Sequence, residues 1–169
     1  MNTTHVKMLD FLDTCFEIER VSAEMYRFFA DRFLGDRSAC LMWRKTARDE
    51  ENHARQIDLA RKAVDSISRV SLASWHKAAA TLEGTRQIAG MVRDSPPTLE
   101  DAILLALKCE KCMESIQTEN ARKVDEPVVN RMFEGMIKED REHVRMLESA
   151  LCRIREHGED AGYRMPLSA

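Results

Sequence analysis

The chain has few of the features that mark membrane-spanning, nucleic-acid-binding or disulfide-rich proteins. Only 6% of its 169 residues are aromatic, and it contains six glycines and four prolines. Its longest clean apolar run, residues 102–107, is far too short to span a bilayer. The net charge of −3, without a basic stripe, argues against nucleic acid as the main partner. What remains is a compact, mainly helical protein in which 33% of the residues are charged.

The five cysteines are odd in number and lack the spacing of a disulfide framework. The N-terminal residues also lack the apolar stretch of a secretory signal. We therefore expect a reducing, cytoplasmic location. Cys109 and Cys112 form a C-x-x-C pair, which we interpret as two small residues buried in a helical bundle. A redox pair or a soft-metal site is the alternative interpretation.

Four segments repeat apolar residues at the spacing of an α-helix, which predicts four long helices. Gly35 can end the first helix, and Ser38 can cap the second. Thr98 with Asp101 resembles a capping box at the third, and Pro127 suits the first turn of the fourth. The predicted helices span about 4–34, 38–65, 98–123 and 127–157.

The connections between these predicted helices are unequal. Short links join the first helix to the second and the third to the fourth, which makes two antiparallel hairpins. Residues 66–97 form a long crossover, and we expect short helices in it because about thirty structureless residues are unusual inside a compact domain. Residues 158–169 form a short tail. The predicted fold is therefore a single all-α domain, a four-helix bundle of ferritin-like arrangement with two antiparallel hairpins joined by a crossover.

A carboxylate–x–x–histidine pair occurs twice, as Glu50 with His53 and as Asp140 with His143. Each pair follows a lone glutamate, Glu19 or Glu110, at nearly equal spacing. A single pair of this kind on a helix is usually a solvated surface pair. Here all six residues lie on mostly apolar helix faces, traced by stepping alternately four and three residues, which are typical of the core of a packed bundle.

Four carboxylates buried at one level would repel one another and lose their hydration, at a cost of several kcal/mol per ion. Metal cations remove both costs. Residues at i and i+3 share a helix face, so each histidine can bind the ion that its own helix's carboxylate contacts. The repeat therefore predicts a carboxylate-bridged two-metal site inside the bundle.

At these residues the chain resembles the ferritin-like superfamily, and most closely its rubrerythrin-like and bacterioferritin-like branches, over all four helices. The resemblance implies that Glu50 and Asp140 bridge two metals and that Glu19 and Glu110 are terminal carboxylates, while each histidine binds one metal. It also implies that Tyr26 hydrogen-bonds a carboxylate across the bundle. The implied metal ligands are Glu19, Glu50, His53, Glu110, Asp140 and His143.

The chain departs from the family pattern at several points. Asp140 stands where the family has glutamate, and Met113 stands where rubrerythrins carry an additional glutamate. Bacterioferritins place a haem-binding methionine where this chain has Glu51, so no haem is expected. The cysteine-rich rubredoxin module of rubrerythrins is missing, so a separate electron-donor protein is expected. The tail is too short for the fifth helix of ferritin cages, so a large storage cage is not expected.

The leading functional hypothesis is a non-haem di-iron protein that reacts with peroxide or dioxygen as an oxidoreductase, in oxidative stress or iron metabolism. Manganese or zinc could occupy the same ligands. One alternative is a ferroxidase for which Fe(II) is the substrate, and another is a helical interaction protein with a degenerate or zinc-filled site. We also expect a homodimer, because five methionines lie off the core-facing stripes and could line an interface: Met8, Met25, Met42, Met132 and Met146.

Overall fold

The computed structural model describes residues 4–121 and 123–157. It contains five α-helices and two short strands. The strands are β1 (His5–Lys7) and β2 (Arg69–Ser71), and the helices are α1 (Met8–Arg32), α2 (Arg37–Ala63), α3 (Leu72–Asp94), α4 (Leu99–Asn120) and α5 (Pro127–His157). The predicted all-α, ferritin-like bundle is confirmed. The predicted tail, residues 158–169, lies outside the described residues.

Helices α2 and α4 each begin at a residue whose side chain accepts hydrogen bonds from the backbone N–H groups of the first turn. Asp36 caps α2, because its Oδ1 accepts hydrogen bonds from the backbone N–H groups of Ser38 and Ala39, each at 2.9 Å. The prediction that Ser38 is the cap was therefore wrong by two residues. Thr98 caps α4 and accepts a 3.2 Å hydrogen bond from the backbone N–H of Asp101, as its capping-box pattern predicts.

The crossover differs from its prediction. It contains one helix of 23 residues, α3, instead of several short helices. Ser71 caps this helix by accepting a hydrogen bond from the backbone N–H of Ser74. Gly84 and Gly90 lie inside it, and each costs a helix about 1 kcal/mol relative to alanine. Packing against α1 and α4 outweighs that cost.

The residues just before α1 form a strand, although the sequence predicts helix from about residue 4. Strand β1 pairs antiparallel with β2, with Val6 opposite Val70. Three-residue strands carry almost no periodic signal, so this pairing could not be found in the sequence. The ribbon joins the start of α1 to the end of α2, and we call this end of the molecule the ribbon end.

Ion pairs between helices define their directions. Arg86 and Arg93 of α3 contact Glu17 and Glu24 of α1, so α1 and α3 are parallel. Lys77 contacts Glu119 near the far end of α4, so α3 and α4 are antiparallel. The pattern places α1, α3 and α5 in one direction and α2 and α4 in the other. Helix α3 therefore carries the chain back along the bundle before the second hairpin begins.

Two groups of buried apolar residues fill the bundle. The aromatic cluster, built around Tyr26, Phe29 and Trp43, lies toward the α1–α2 turn. The ribbon-end cluster, which includes Phe11 and Phe133, lies at the other end. A layer of buried polar side chains separates them. Among the described residues, no helix has a stretch that is both long and apolar enough to cross a membrane.

Candidate metal centre

The structure brings all six predicted ligands together in the polar layer between the two clusters. Helices α1, α2, α4 and α5 each contribute from near the middle of their length, and each of the six residues is at most 3% exposed. Helices α1 and α4 supply one carboxylate each, while α2 and α5 each supply a carboxylate and a histidine. These residues are Glu19, Glu50, His53, Glu110, Asp140 and His143.

Glu19, Glu50 and His53 form one half of the centre, which we call the His53 half. His53 Nδ1 lies 3.2 Å from Glu50 Oε2 and 3.9 Å from Glu19 Oε2. One ligand atom from each residue falls within 4.8 Å of the others. Because imidazole nitrogen and carboxylate oxygen are ligands for Fe(II), Mn(II) and Zn(II), this group could hold one such ion.

Glu50, Glu110 and His143 form the His143 half. His143 Nδ1 lies 3.2 Å from Glu50 Oε1 and 3.5 Å from Glu110 Oε2. Their ligand atoms also fall within 4.8 Å of one another. Glu50 therefore belongs to both halves and directs a different oxygen toward each histidine, which is the geometry of a carboxylate that bridges two ions.

Asp140 lies on the His53 side of the centre. Its Oδ1 is 3.5 Å from His53 Nδ1. Neither of its carboxylate oxygens has a hydrogen-bond partner within residues 4–121 and 123–157, and neither group of three ligand atoms includes it. Its side chain is one methylene shorter than glutamate, which accounts for its more distant position. The structure thus places Asp140 beside one half and leaves its bridging role a prediction.

Each histidine also contacts a carboxylate with its outward nitrogen. His53 Nε2 lies 3.1 Å from Glu139 Oε2, and His143 Nε2 lies 3.1 Å from Asp49 Oδ2. Such contacts orient a ligating imidazole and raise its basicity. The arrangement is reciprocal, because each acid directly precedes the ligand carboxylate of the opposite pair. Neither role was predicted from the sequence, because each contact joins residues of two different helices.

Tyr26 lies at the edge of the aromatic cluster, where it is 0% exposed and stacks on Trp43 with ring centroids 5.7 Å apart. Its hydroxyl donates a 2.7 Å hydrogen bond to Glu110 Oε1. The contact across the bundle that the resemblance implied is present. It fixes one oxygen of Glu110 while Oε2 faces His143.

Burial and crowding raise the pKa values of three carboxyl groups. Burial is the larger cause for Glu19, Glu110 and Asp140, and the charges of the neighbouring carboxylates add to it. Burial also acts on Glu50, but its contacts with the two histidines outweigh burial and lower its pKa. In the absence of a compensating cation, burial and the neighbouring carboxylates thus favour the neutral form of these three acids.

The pKa values of the two histidines are also raised, but in an imidazole a raised pKa favours the charged form. Burial lowers the pKa of an imidazole, but the contacts with Glu50 and its neighbours outweigh burial and raise the pKa of His53 to about 9. The contacts of His143 with Asp49, Glu110 and Glu50 raise its pKa to about 12. The pocket therefore stabilises positive charge, whether carried by imidazolium or by metal ions.

Unpaired atoms show that the donor set fits metal ions. In the described part of the chain, Glu19 Oε1 and both oxygens of Asp140 are buried without a hydrogen-bond partner. Such groups are normally paired in folded proteins, because an unpaired buried charge is costly. Cations at these positions would satisfy them.

Two interpretations of residues outside the centre were wrong. Cys109 is buried, and burial raises its pKa to about 12, but Cys112 is exposed and therefore not a core residue. The off-stripe methionines pack inside the chain instead of lining an open surface. Met8, Met25, Met42 and Met132 are at most 8% exposed, and Met146 packs on the aromatic cluster. The homodimer remains a prediction without this support.

The family model named Rubrerythrin matches residues 10–151, a range that contains all six candidate ligands and Tyr26. No curated protein matches the chain, and no solved structure does. Because the match covers far more than half of the chain, and because the helices and the buried carboxylate–histidine layer fit it, this protein belongs to the rubrerythrin family.

Proposed function

We propose that this protein is a di-iron oxidoreductase that uses hydrogen peroxide or dioxygen as its oxidant. The observation that carries the proposal is the position of Glu50, whose two oxygens each lie 3.2 Å from a different histidine in a fully buried layer. A shared carboxylate between two three-ligand groups supports two ions held side by side.

In this proposal Glu19 and His53 would hold one ion, Glu110 and His143 would hold the other, and Glu50 would offer an oxygen to each. Asp140 would add a further carboxylate to the His53 half. Two iron ions, when bound, would supply the two electrons that the reduction of one peroxide consumes. Manganese and zinc fit the same donors, but zinc provides no redox chemistry.

The chain's own residues hold this centre in position. Tyr26 keeps Glu110 oriented through its 2.7 Å hydrogen bond. Glu139 and Asp49 hold the imidazole rings by their outward nitrogens. The apolar clusters on both sides exclude bulk water, which strengthens each electrostatic contact inside the layer.

The electrons that restore the centre come, in this proposal, from a separate protein in the cytoplasm. We also propose that the protein acts as a homodimer.

Anaerobic loading with Fe(II), followed by desalting, tests the proposal directly. We expect two iron ions per chain, which oxidise rapidly when hydrogen peroxide or air is added. The faster of the two oxidants identifies the preferred one. One iron or none per chain would contradict the proposed centre, and two irons that neither oxidant affects would contradict the oxidoreductase assignment.

A ferroxidase is the second candidate. It is favoured by Asp140, whose unpaired oxygens lie outside both three-ligand groups and leave the His53 half less completely held. An ion held in this way could leave after oxidation, in which case Fe(II) is the substrate. Repeated turnover of added Fe(II) with mineral formation would support this candidate, whereas a single stoichiometric oxidation would favour the peroxide-reducing or dioxygen-reducing enzyme.

A further inference from the structure

Gln117 of α4 is a fully buried glutamine that the proposed metal centre does not use. Its side chain is 0% exposed. Neither Oε1 nor Nε2 has a hydrogen-bond partner among the residues that the structure describes. A buried amide without partners is strongly unfavourable, so an unpaired one in a native core calls for a bound partner.

The register of α4 and α5 places Gln117 level with Asp140 along the bundle. Arg141 Nε lies 2.6 Å from Glu114 Oε1, and Lys111 Nζ lies 2.9 Å from Glu148 Oε1. Because these helices are antiparallel, the two pairs put Gln117 level with residues 138–142 of α5. Asp140 is at the centre of that range, and it is 1% exposed. Both residues are therefore buried at the same level of the core.

Gln117 and Asp140 offer complementary atoms that do not meet. The amide carries two N–H donors and a carbonyl acceptor, and a carboxylate offers several acceptor positions. Oδ2 of Asp140 also has no hydrogen-bond partner in the described ranges, and it is left for a second ligand when Oδ1, the oxygen 3.5 Å from His53 Nδ1, faces the metal centre. Met113 and Met136, one turn before Gln117 and Asp140 on their own helices, are buried and apolar, so they offer no strong hydrogen-bonding group.

Asn120 extends this polar strip by one turn toward the ribbon end. It is 0% exposed, and its Nδ2 donates a 2.7 Å hydrogen bond to the backbone carbonyl of Ile116. Its Oδ1 has no partner within residues 4–121 and 123–157. Unpaired polar atoms thus continue beyond Gln117, away from the metal centre and through an otherwise apolar cluster.

We propose that Gln117 and Asp140 form a binding site for a small hydroxylic molecule, which is water in the resting protein and hydrogen peroxide when the oxidant is present. A molecule of this kind needs two to four polar partners, and the amide and the carboxylate supply them. Hydrogen peroxide matches water in carrying both O–H donors and oxygen acceptors. The peroxide part of the proposal rests on the proposed function, whereas the hydration part does not.

The first test uses metal-free wild-type protein labelled with ¹⁵N, so it is independent of any reaction at the metals. We expect the side-chain amide protons of Gln117 to show cross-peaks to a long-lived water by NMR. Added hydrogen peroxide should then shift the Gln117 amide resonance. Gln87 is the internal control, because its exposed amide already donates a 2.9 Å hydrogen bond to Glu83. Its resonance should not shift.

The second test compares Gln117→Met with Gln87→Met after loading with Fe(II). Methionine is unbranched and close to glutamine in length, so the core can retain its packing. We expect Gln117→Met to bind as much iron as the wild type but to oxidise severalfold more slowly with hydrogen peroxide. Gln87→Met should match the wild type in both measurements.

The outcomes separate the site from the proposed function. No water contact at the Gln117 amide would overturn the site altogether. A water contact with no peroxide-dependent shift, or Gln117→Met oxidising as fast as the wild type, would overturn the assignment of peroxide as a ligand. If wild-type protein binds no iron, the proposed function fails, while the NMR test still decides whether the site exists.

Discussion

The two halves of the candidate metal centre contain the same types of side chain, but these side chains are held in place by different contacts. In the His143 half, Glu110 is held by the hydroxyl of Tyr26, and Asp49, which contacts His143, is itself held by Lys45 at 2.7 Å. Among the residues described for the His53 half, Glu19 Oε1 is unpaired, and Glu139, which contacts His53, has a side chain 47% exposed. The same ligand types are thus anchored firmly in one half and loosely in the other.

This difference teaches that ligand identity alone does not determine metal affinity. A ligand that is already oriented loses less freedom on binding, so the His143 half should bind its ion first and more tightly. The His53 half relies on Asp140, whose side chain is short and whose oxygens have no hydrogen-bond partner in the described ranges. We expect stepwise binding, with the weaker step at His53.

The largest expected effect follows removal of the residue that both halves share. Glu50→Ala should abolish two-metal binding, because Glu50 belongs to both three-ligand groups. Metal content per chain after anaerobic Fe(II) loading measures the effect. Glu51→Ala is the matched control, since Glu51 is the adjacent residue and pairs with Arg27 and Arg55 outside the centre. A full complement of two ions in Glu50→Ala would contradict the bridging geometry.

Asp140→Ala should affect only one half. We expect one ion to remain in the His143 half while the ion in the His53 half is lost, because Asp140 Oδ1 lies 3.5 Å from His53 Nδ1. Asp140→Glu adds one methylene and should tighten the weaker binding step. Titration with Fe(II) under anaerobic conditions would resolve both steps. Loss of both ions in Asp140→Ala would show instead that Asp140 bridges them.

Smaller effects are expected from Asp49 and Glu139, which contact the outward nitrogens of the two histidines and can be compared as a pair. Removing a carboxylate that orients a ligating histidine typically lowers metal affinity about 10-fold to 100-fold. We expect Asp49→Ala to lie near the upper end, because Asp49 is less exposed and held by Lys45. Glu139→Ala should lie near the lower end, since solvent screens its 47% exposed side chain. Equal losses in the two variants would contradict unequal anchoring of the halves.

The strongly periodic parts of the chain could be predicted from the sequence. Each metal ligand is on a helix whose apolar stripe continues on both sides of it, so the spacing alone placed Glu19, Glu50, Glu110 and Asp140 in one layer. The i,i+3 relation then placed each histidine beside its carboxylate. Tyr26 followed from the resemblance, and its hydroxyl lies where that resemblance implied.

The remaining features depend on contacts that leave little periodic signal. Helix α3 is continuous because it packs against α1 and α4, although Gly84 and Gly90 weaken its local preference for helix. The exposed position of Cys112 depends on how α3 lies against α4. Asp49 and Glu139 each lie one residue before a ligand, so their roles appear only when opposite helices are brought together.

Tyr26→Phe is expected to have the smallest effect on the metals, and it tests the anchoring of the His143 half most directly. The variant keeps the ring and its stacking on Trp43 but removes the hydroxyl that donates to Glu110. Both ions should still bind, because no ligand is lost.

Tyr26→Phe should instead lower the stability of the metal-free protein and reduce the difference in affinity between the two binding steps. Leaving Glu110 Oε1 without its buried donor should lower the free energy of unfolding by about 1–3 kcal/mol, measured by urea denaturation. If the hydroxyl anchors the His143 half, the first and second binding steps should also become closer in affinity. Unchanged separation of the two steps would mean that the two halves differ for another reason, and Asp140 would then be the residue that sets them apart.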